Sequence, residues 1–340
     1  MIKNAIAKLV SGEDLTFEES YFTMKQIMSG EAEQAQIAGF LVGLRMKGET
    51  PHEIAGCAKA MVEKAVKIDF DDENLIDTCG TGGDEVGTFN ISTASAIVAS
   101  ACGAKVAKHG NRAVSSKCGS ADVLKELGVN IELSPQEAKK CLEEIGIAFI
   151  YAPLYHTAMK YAGPVRQALG IRTIFNILGP LTNPAQAKRQ IIGVFSESLT
   201  EKIALVLKEL GKKHALVVHG AGGIDEISIS GHTKVSELKN GEIKTYEIKP
   251  EDFGFRKWDL NLILGADAKT NAEIIKKIFD GEKGPQRDVV LLNSGAAVYI
   301  AGLADSIQEG IKIAQEAIDS GKAKKKLEEL VSITNSFKKS

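Results

Sequence analysis

Short apolar runs alternate with helical stretches from residue 75 onward, and this alternation constrains the fold more than any other feature. Residues 75–79, 106–108 and 147–151 read as strands. Between them, 93–102 and 122–127 read as helices, each followed by a glycine, Gly103 or Gly128. A third helix opens on the capping box Ser134-Pro135-Gln136-Glu137 and stops at Gly146. Residues 191–195, 215–219 and 288–292 continue the pattern as further apolar strands. Strands separated by helices imply a mainly parallel sheet covered on both faces. Asn240-Gly241, between 233–238 and 242–248, predicts a hairpin, an antiparallel excursion from that sheet.

No strand pattern precedes residue 75. Thr16-x-x-Glu19 and Thr50-Pro51-His52-Glu53 are capping boxes, the second with proline at the first helical position. Ile54, Ala58, Met61, Val62 and Ala65 then share one helical face, and Gly30 and Gly48 punctuate two earlier helices. The expectation is an α/β protein: a small all-helical domain over 1–70 and an α/β domain over 71–340 with a mainly parallel central sheet. Ser306-x-x-Glu309 caps a later helix, and the Lys-rich tail from Lys322 reads as a solvated helix.

Composition removes several classes. At 340 residues the chain needs neither metal nor disulfide to hold a core. A net charge of −2 argues against a broadly basic nucleic-acid binder. Cys57, Cys79, Cys102, Cys118 and Cys141 include no C-x-x-C pair and are odd in number, which excludes a zinc knuckle or disulfide framework and fits a reducing cytoplasm. The start, with Lys3 and Lys8 and no long apolar core, is no signal peptide. The uncharged run 86–104 is long enough for a membrane. Its Ser, Thr, Asn and Gly content indicates a buried, polar-lined segment instead.

The chemistry concentrates in loops after the strands. Asp77-Thr78-Cys79-Gly80-Thr81-Gly82-Gly83-Asp84 leaves a strand and precedes a helix. Its glycines let backbone N–H groups approach a ligand, and a phosphate there would meet the positive helix end. Glu85 breaks the dinucleotide pattern, and no Gly-Lys-Ser/Thr follows, so neither an NAD fold nor a P-loop is indicated. Asn90-Ile91-Ser92-Thr93 offers either helix capping by Ser92 or Thr93, or hydroxyl donors to the same phosphate and a metal oxygen ligand. Lys108-His109-Gly110-Asn111-Arg112 and Ser115-Ser116-Lys117-Cys118-Gly119-Ser120 have the composition of a polyphosphate loop. Asp225-Glu226 follows a strand and a Gly-rich turn; carboxylates near phosphates require a cation between them, and Mg²⁺ is the natural one. Arg166 and Arg172 can each hold a carboxylate bidentately. His109 and His156 are either bases or ring-packing groups, and His52, His214, His219 and His232 have no metal spacing.

Taken in order, these residues resemble the anthranilate phosphoribosyltransferase family. The resemblance rests on residues 77–84, on Thr88-x-Asn90-Ile91-Ser92-Thr93, on Lys108-His109-Gly110-Asn111-Arg112 with Ser115-Ser116 and Gly119-Ser120-Ala121-Asp122, on residues 172–184, and on Asp225-Glu226. The helical start and Asn293-Ser294-Gly295-Ala296-Ala297 extend it over nearly the whole chain. It implies a nucleoside phosphorylase/phosphoribosyltransferase-like fold in which a segment near 165–185 returns to the helical domain. The implied reaction transfers 5-phosphoribose from phosphoribosyl pyrophosphate to the amine of anthranilate, in tryptophan biosynthesis.

By the same resemblance, Gly80, Gly82, Gly83, Asp84, Thr88, Asn90, Ile91, Ser92, Thr93, Lys108 and the segment Ser116 to Ser120 contact the sugar diphosphate, and Gly110, Arg112, Ala113, Val114 and Ser115 are further substrate-binding candidates. Ser92, Asp225 and Glu226 bind Mg²⁺. Asn111 and Arg166 face anthranilate, Arg166 on its carboxylate, and His109, Tyr155 and His156 line the channel. Lys108, Arg166 and His109 are the catalytic candidates. The family also implies a homodimer formed through the helical domains, with no nucleic acid or membrane partner. Tyr161-Ala162-Gly163 and Thr157 depart from the family pattern beside that channel. A pyrimidine nucleoside phosphorylase-like enzyme and a non-catalytic nucleic-acid-binding relative are the alternatives; residues 172–184 and Asp225-Glu226 disfavour the first, the net charge the second.

Overall fold

The computed structural model describes residues 1–83, 86–113 and 117–338. Four helices open the chain: α1 (Ile2–Val10), α2 (Phe17–Met28), α3 (Gln34–Lys47) and α4 (Pro51–Lys64). Thr16 and Thr50 start α2 and α4 as the sequence predicts: each hydroxyl accepts the N–H three residues on, and each Glu returns to the cap N–H. Glu53 does more than cap. Fully buried, it also accepts the Leu15 N–H (2.9 Å) and the Lys47 ammonium (3.0 Å). One carboxylate thus ties the end of α3 and the start of α4 to the α1–α2 connection.

Beyond α4 the alternation begins: β1 (Ile76–Gly80), α5 (Ile91–Ala101), β2 (Val106–Gly110), α6 (Ser120–Glu126), α7 (Pro135–Glu144) and β3 (Ile147–Tyr151). The short α8 (Ala152–Tyr155), α9 (Met159–Leu169) and α10 (Phe175–Leu178) then carry the chain back against α2, α3 and α4. It re-enters the sheet with β4 (Arg189–Gly193), α11 (Leu199–Glu209) and β5 (His214–Gly220). The hairpin β6 (Thr233–Lys239) and β7 (Glu242–Ile248) turns at Asn240 and Gly241, both with positive φ, as a two-residue Asn-Gly turn requires. Four helices finish the described chain: α12 (Ala268–Phe279), α13 (Pro285–Ile300), α14 (Ile307–Asp319) and α15 (Lys322–Ser336).

Among the described residues the strands form one sheet of order β3-β2-β1-β4-β5-β6-β7. The first five are parallel and the last two antiparallel. The chain leaves β1 toward β2 and β3, then returns on the other side as β4. That reversal opens a crevice at the carboxyl ends of β1 and β4, the place where open α/β sheets bind ligands.

Two layers cover the sheet. α5 and α13 pack on one face through Ile97, Val98, Val290 and Ala297, against Ile76, Val106, Leu216 and Val218. On the other, Ile192, Val194, Ala215 and Val217 join α11, α9, α10 and the first four helices in one apolar core.

The expected strand at 288–292 is instead the interior of α13. A five-residue apolar run carries no period that separates a buried strand from a buried helix, and α13 is buried on nearly every side, between α5 and α14. The Lys-rich tail is helical, but α15 is not solvated all round: Ala323, Leu327, Leu330 and Thr334 are buried.

In the helical unit, Gly56 of α4 sits against the backbone of α2. A Cβ there would overlap the Phe17 carbonyl and lie 2.9 Å from the Tyr21 nitrogen. Gly56→Ala should therefore destabilise the protein by about 1–3 kcal/mol, although alanine is the better helix former. Urea unfolding measures this; equal or greater stability would contradict the close packing.

Candidate active site

The site forms where β1, β2, β4 and β5 end. β1 runs into the Gly-rich turn, and Gly82 and Gly83 take positive φ (63° and 73°), which β-carbon residues rarely adopt. Thr81 fixes the turn to β4: its N–H donates to the Gly193 carbonyl and its Oγ1 accepts the Phe195 N–H. Arg172, from the returning segment, stacks on Phe195 and donates to the Gly83 carbonyl at 2.6 Å.

Asp225 and Glu226 lie directly over this turn. Asp225 Oδ2 accepts the Gly82 N–H at 2.8 Å. Glu226 Oε1 accepts the Ser92 N–H at 3.1 Å, at the first turn of α5. The approach is so close that a Cβ on Gly80 would overlap the Asp225 carboxylate, and one on Gly193 its carbonyl oxygen. Residues 143 positions apart are thereby brought into one pocket.

Lys108 projects from β2 between these groups. Its ammonium donates to the Thr78 carbonyl (2.5 Å) and to Ser92 Oγ (3.2 Å). Burial disfavours its charge, opposed by the carboxylates of Asp77 and, further off, Glu226 and Asp225. Asp77 is itself buried and accepts from the His109 N–H (3.2 Å) and the Asn183 amide (2.8 Å). The same Asn183 amide donates to the Ala107 carbonyl (2.8 Å), so the returning segment is stitched to both β1 and β2.

Ser92 and Thr93 do not cap α5. The N-cap is Asn90, whose side chain makes no capping bond. It instead donates to the Cys118 carbonyl (3.2 Å) and accepts from Asn271 of α12 (2.9 Å), holding the second loop against α5. Ile91 is buried, and Thr93 Oγ1 is buried with no hydrogen-bond partner among the described residues. Thr88 pairs as an isolated bridge with Leu264. In the second loop, Gly110 ends β2, and the exposed Asn111 accepts the Ser120 hydroxyl on its carbonyl. Arg112 lies over the Tyr151 ring, and Asp122 Oδ2 accepts the N–H groups of Ala113 (3.0 Å) and Gly119 (2.9 Å). Asp84, Val114, Ser115 and Ser116 lie outside the described residues.

On the side of the helical unit, His109 and His156 face each other with ring centroids 5.0 Å apart. Each is buried, and among the described residues neither Nε2 has a hydrogen-bond partner. Burial pushes His109 down to about 3, His156 adding to the effect, and pushes His156 down to about 4. Both rings are therefore neutral near pH 7. Arg166 of α9 is half-buried with its guanidinium 5.1 Å from the Phe175 ring centre, and no carboxylate pairs with it among the described residues. Burial lowers its pKa, so an incoming anion would find an under-compensated cation.

Tyr155 is not placed as the resemblance implies. It is 1% exposed, and its hydroxyl donates to the Leu133 carbonyl at 2.9 Å among Ile68, Ala138 and Leu142. Its ring anchors the chain beyond β3, while the neighbouring His156 turns toward His109. Sequence reading also gave no role to Asp122, Asn271 and Arg172 in shaping the loops. Asp122 had a local signal, three residues after Gly119 at a helix start. Asn271 had none, since its partner Asn90 is 181 positions away.

These features define a glycosyl-transferring enzyme class. The glycosyl transferase family a/b domain matches residues 72–324, and that family's helical bundle domain matches residues 3–65. An anthranilate phosphoribosyltransferase from Acetivibrio thermocellus is 56% identical over 337 residues, 99% of this chain and 98% of the relative. The crystal structure of the Thermus thermophilus enzyme superposes with a TM-score of 0.93 at 43% identity, covering 97% of this chain and 99% of that one. The Saccharomyces cerevisiae enzyme, solved in complex with PRPP (phosphoribosyl pyrophosphate) and Mg, gives 0.90 at 29% identity, with 99% and 98% covered. The chain belongs to the anthranilate phosphoribosyltransferase family.

The histidine pair sets an acid limit on stability. A buried imidazole whose pKa falls below its unfolded value leaves the unfolded chain binding more protons, so stability is present at neutral pH and lost as pH falls from about 6.5 toward 4. His156→Phe should make that decline shallower, by up to about 1.4 kcal/mol per pH unit. Urea melts at pH 6.5, 5.5 and 4.5 measure it; an unchanged pH slope would show that His156 is not buried neutral.

Proposed function

We propose that this protein transfers 5-phosphoribose from phosphoribosyl pyrophosphate to the amino group of anthranilate, releasing pyrophosphate, in tryptophan biosynthesis. The observation that carries the reading is the convergence of the Gly-rich turn, Ser92, Lys108 and the Asp225-Glu226 pair at one point of the sheet. The donor set there, two carboxylates and a hydroxyl, consists of hard oxygens and fits Mg²⁺. Ser92, Asp225 and Glu226 would hold the ion, which when bound offsets the charge of the diphosphate.

In the reaction the bond from the anomeric carbon to the pyrophosphate oxygen breaks, and the electron pair leaves with pyrophosphate. The anthranilate nitrogen forms the new C–N bond and gives up a proton. The chain's own residues act mainly on the leaving group and on position. Lys108, already fixed by Thr78 and Ser92, presents a buried positive charge to the departing oxygens at no cost of reorganisation. The N–H groups of the Gly-rich turn and of Ser92, now spent on Asp225 and Glu226, are the donors a phosphate would compete for. The loop residues on either side of Val114 to Ser116, with Ala113 and Gly119 tied down by Asp122, are assigned to the rest of the sugar diphosphate, and Asn111 to anthranilate.

Arg166 would take the anthranilate carboxylate, and its lack of a protein carboxylate supports this. His109 and His156, neutral and buried, wall the aromatic ring. Holding a weakly basic amine in line with the anomeric carbon is then the larger share of catalysis. We divide the chain into a helical domain, 1–70 with the segment 165–185, and an α/β domain, 71–340. We also assign a homodimer formed through the helical domain, where Val10, Phe22 and Met46 remain exposed. A cytoplasmic location accords with five free cysteines, and no described helix is long and apolar enough to cross a membrane.

The direct test is the loss of anthranilate fluorescence on adding phosphoribosyl pyrophosphate, with and without Mg²⁺. A Mg²⁺-dependent loss is expected, and Asp225→Asn with Glu226→Gln should abolish or displace that dependence. No loss with folded protein would reassign the acceptor, and phosphorolysis of nucleosides would be tested next. Separately, Arg166→Ala should raise the KM for anthranilate roughly tenfold or more, as loss of a charged hydrogen bond of about 1.5–3 kcal/mol requires. The KM for phosphoribosyl pyrophosphate should hardly move; an equal rise in both would place Arg166 elsewhere.

A further inference from the structure

The acidic pair sits in a turn with little regular structure of its own, between β5 and β6. Adjacent carboxylates repel, and an unconstrained turn would let them swing apart toward solvent. Something must hold the backbone. On the strand side it rests on glycine: Gly193 admits the Asp225 carbonyl, and a Cβ on Gly220 would lie 2.5 Å from the Glu226 carbonyl oxygen. Those contacts limit how deep the turn can sit. They do not fix its orientation.

On the opposite side a side chain from α13 grips the residue after the pair. Asn293 Oδ1 accepts the Ile227 N–H at 3.0 Å, and its Nδ2 donates to the Ile227 carbonyl at 2.9 Å. The amide thus pairs with both backbone groups of the residue following Glu226, as a neighbouring strand would. A further bond from Nδ2 to the Val289 carbonyl (2.9 Å), one turn earlier in α13, fixes its rotamer. Asn293 is 3% exposed and Ile227 fully buried, so water does not compete for these bonds.

We infer that Asn293 is a positioning residue for the reaction: it sets the orientation of Asp225 and Glu226 toward the cation and diphosphate without touching either. The inference rests on the reading of the acidic pair as the Mg²⁺ ligands. The amide suits the task because it is neutral. A carboxylate at 293 could not donate to the Ile227 carbonyl, and an aliphatic residue would leave two buried backbone groups unpaired.

The test uses Mn²⁺ as a paramagnetic stand-in, with binding read from the loss of the free-ion EPR signal in the presence of phosphoribosyl pyrophosphate. Outer partners of metal ligands typically change affinity 10–100-fold. Asn293→Ala should therefore weaken Mn²⁺ binding at least tenfold and raise the Mg²⁺ concentration for half-maximal activity in parallel. The KM for anthranilate should stay within twofold. Asn293→Ser, which keeps one short donor and acceptor, should give a smaller loss. Ser294→Ala removes a buried hydroxyl that has no partner among the described residues, one residue along the same helix, and should leave Mn²⁺ affinity unchanged. Equal Mn²⁺ affinity in parent and Asn293 variants overturns the inference, as does failure of both variants to fold, which would assign Asn293 to the core alone. If the parent itself binds no Mn²⁺ with phosphoribosyl pyrophosphate, the reading of the metal site fails instead.

Discussion

The buried ammonium of Lys108 is the constraint around which the rest is arranged. A lone positive charge under a sheet's carboxyl edge is costly unless it is both hydrogen-bonded and balanced. Here the hydrogen bonds come from Thr78 and Ser92, so β1 and the start of α5 must both close on β2. The balance comes from Asp77 beneath and from Asp225 and Glu226 above. That requirement explains features otherwise unrelated in sequence. Asp77 needs its own donors, which the His109 N–H and Asn183 supply. The acidic turn must approach two strand ends so closely that only glycine fits at 80 and 193.

The site therefore holds an excess of carboxylates before any ligand arrives: Asp77, Asp225 and Glu226 face the single ammonium of Lys108. Carboxylates already occupy the N–H groups of Gly82 and Ser92. An anion as strong as a diphosphate has to displace them, and a divalent cation lets it do so without repulsion. Ligand and metal then become mutually dependent through residues that are already in contact. The second half of the site is built on a different principle. Around His109, His156 and Arg166 burial dominates: neutral rings and a cation short of an anion suit a flat aromatic carboxylate. The two halves meet at β2, where Lys108 and His109 are consecutive and point to opposite faces of the strand.

Much of this was legible in the sequence because it is written in local signals. The strands at 75–79, 147–151 and 215–219 and the Asn-Gly hairpin lie within two residues of their expected places. The capping boxes at Thr16, Thr50 and Ser134 form as expected. Errors arose where a local pattern has two physical solutions. The apolar run at 288–292 suits a buried strand or a helix buried all round, and only the packing of α13 decides. At Ser92 and Thr93 the sequence leaves capping and ligand roles open; the cap falls to Asn90, and Glu226 reaches the Ser92 N–H and Lys108 its hydroxyl. Tyr155 is expected beside the channel with its neighbour His156, but its side chain points the other way from the His109–His156 contact, into a core formed with α7.

What the sequence hides most completely are the residues that act through others. Asn90 with Asn271, Asp77 with Asn183 and Ile227 with Asn293 are amide contacts spanning 181, 106 and 66 positions. No periodicity or spacing marks them, because an asparagine in a helix or loop is equally suited to solvent. Their meaning depends on burial, where an amide that donates and accepts at once fixes a backbone without adding charge. In a site where one lysine faces three carboxylates, a carboxylate as support would add to the excess of negative charge. The neutral amide is the side chain that can brace the acidic turn without adding to that charge.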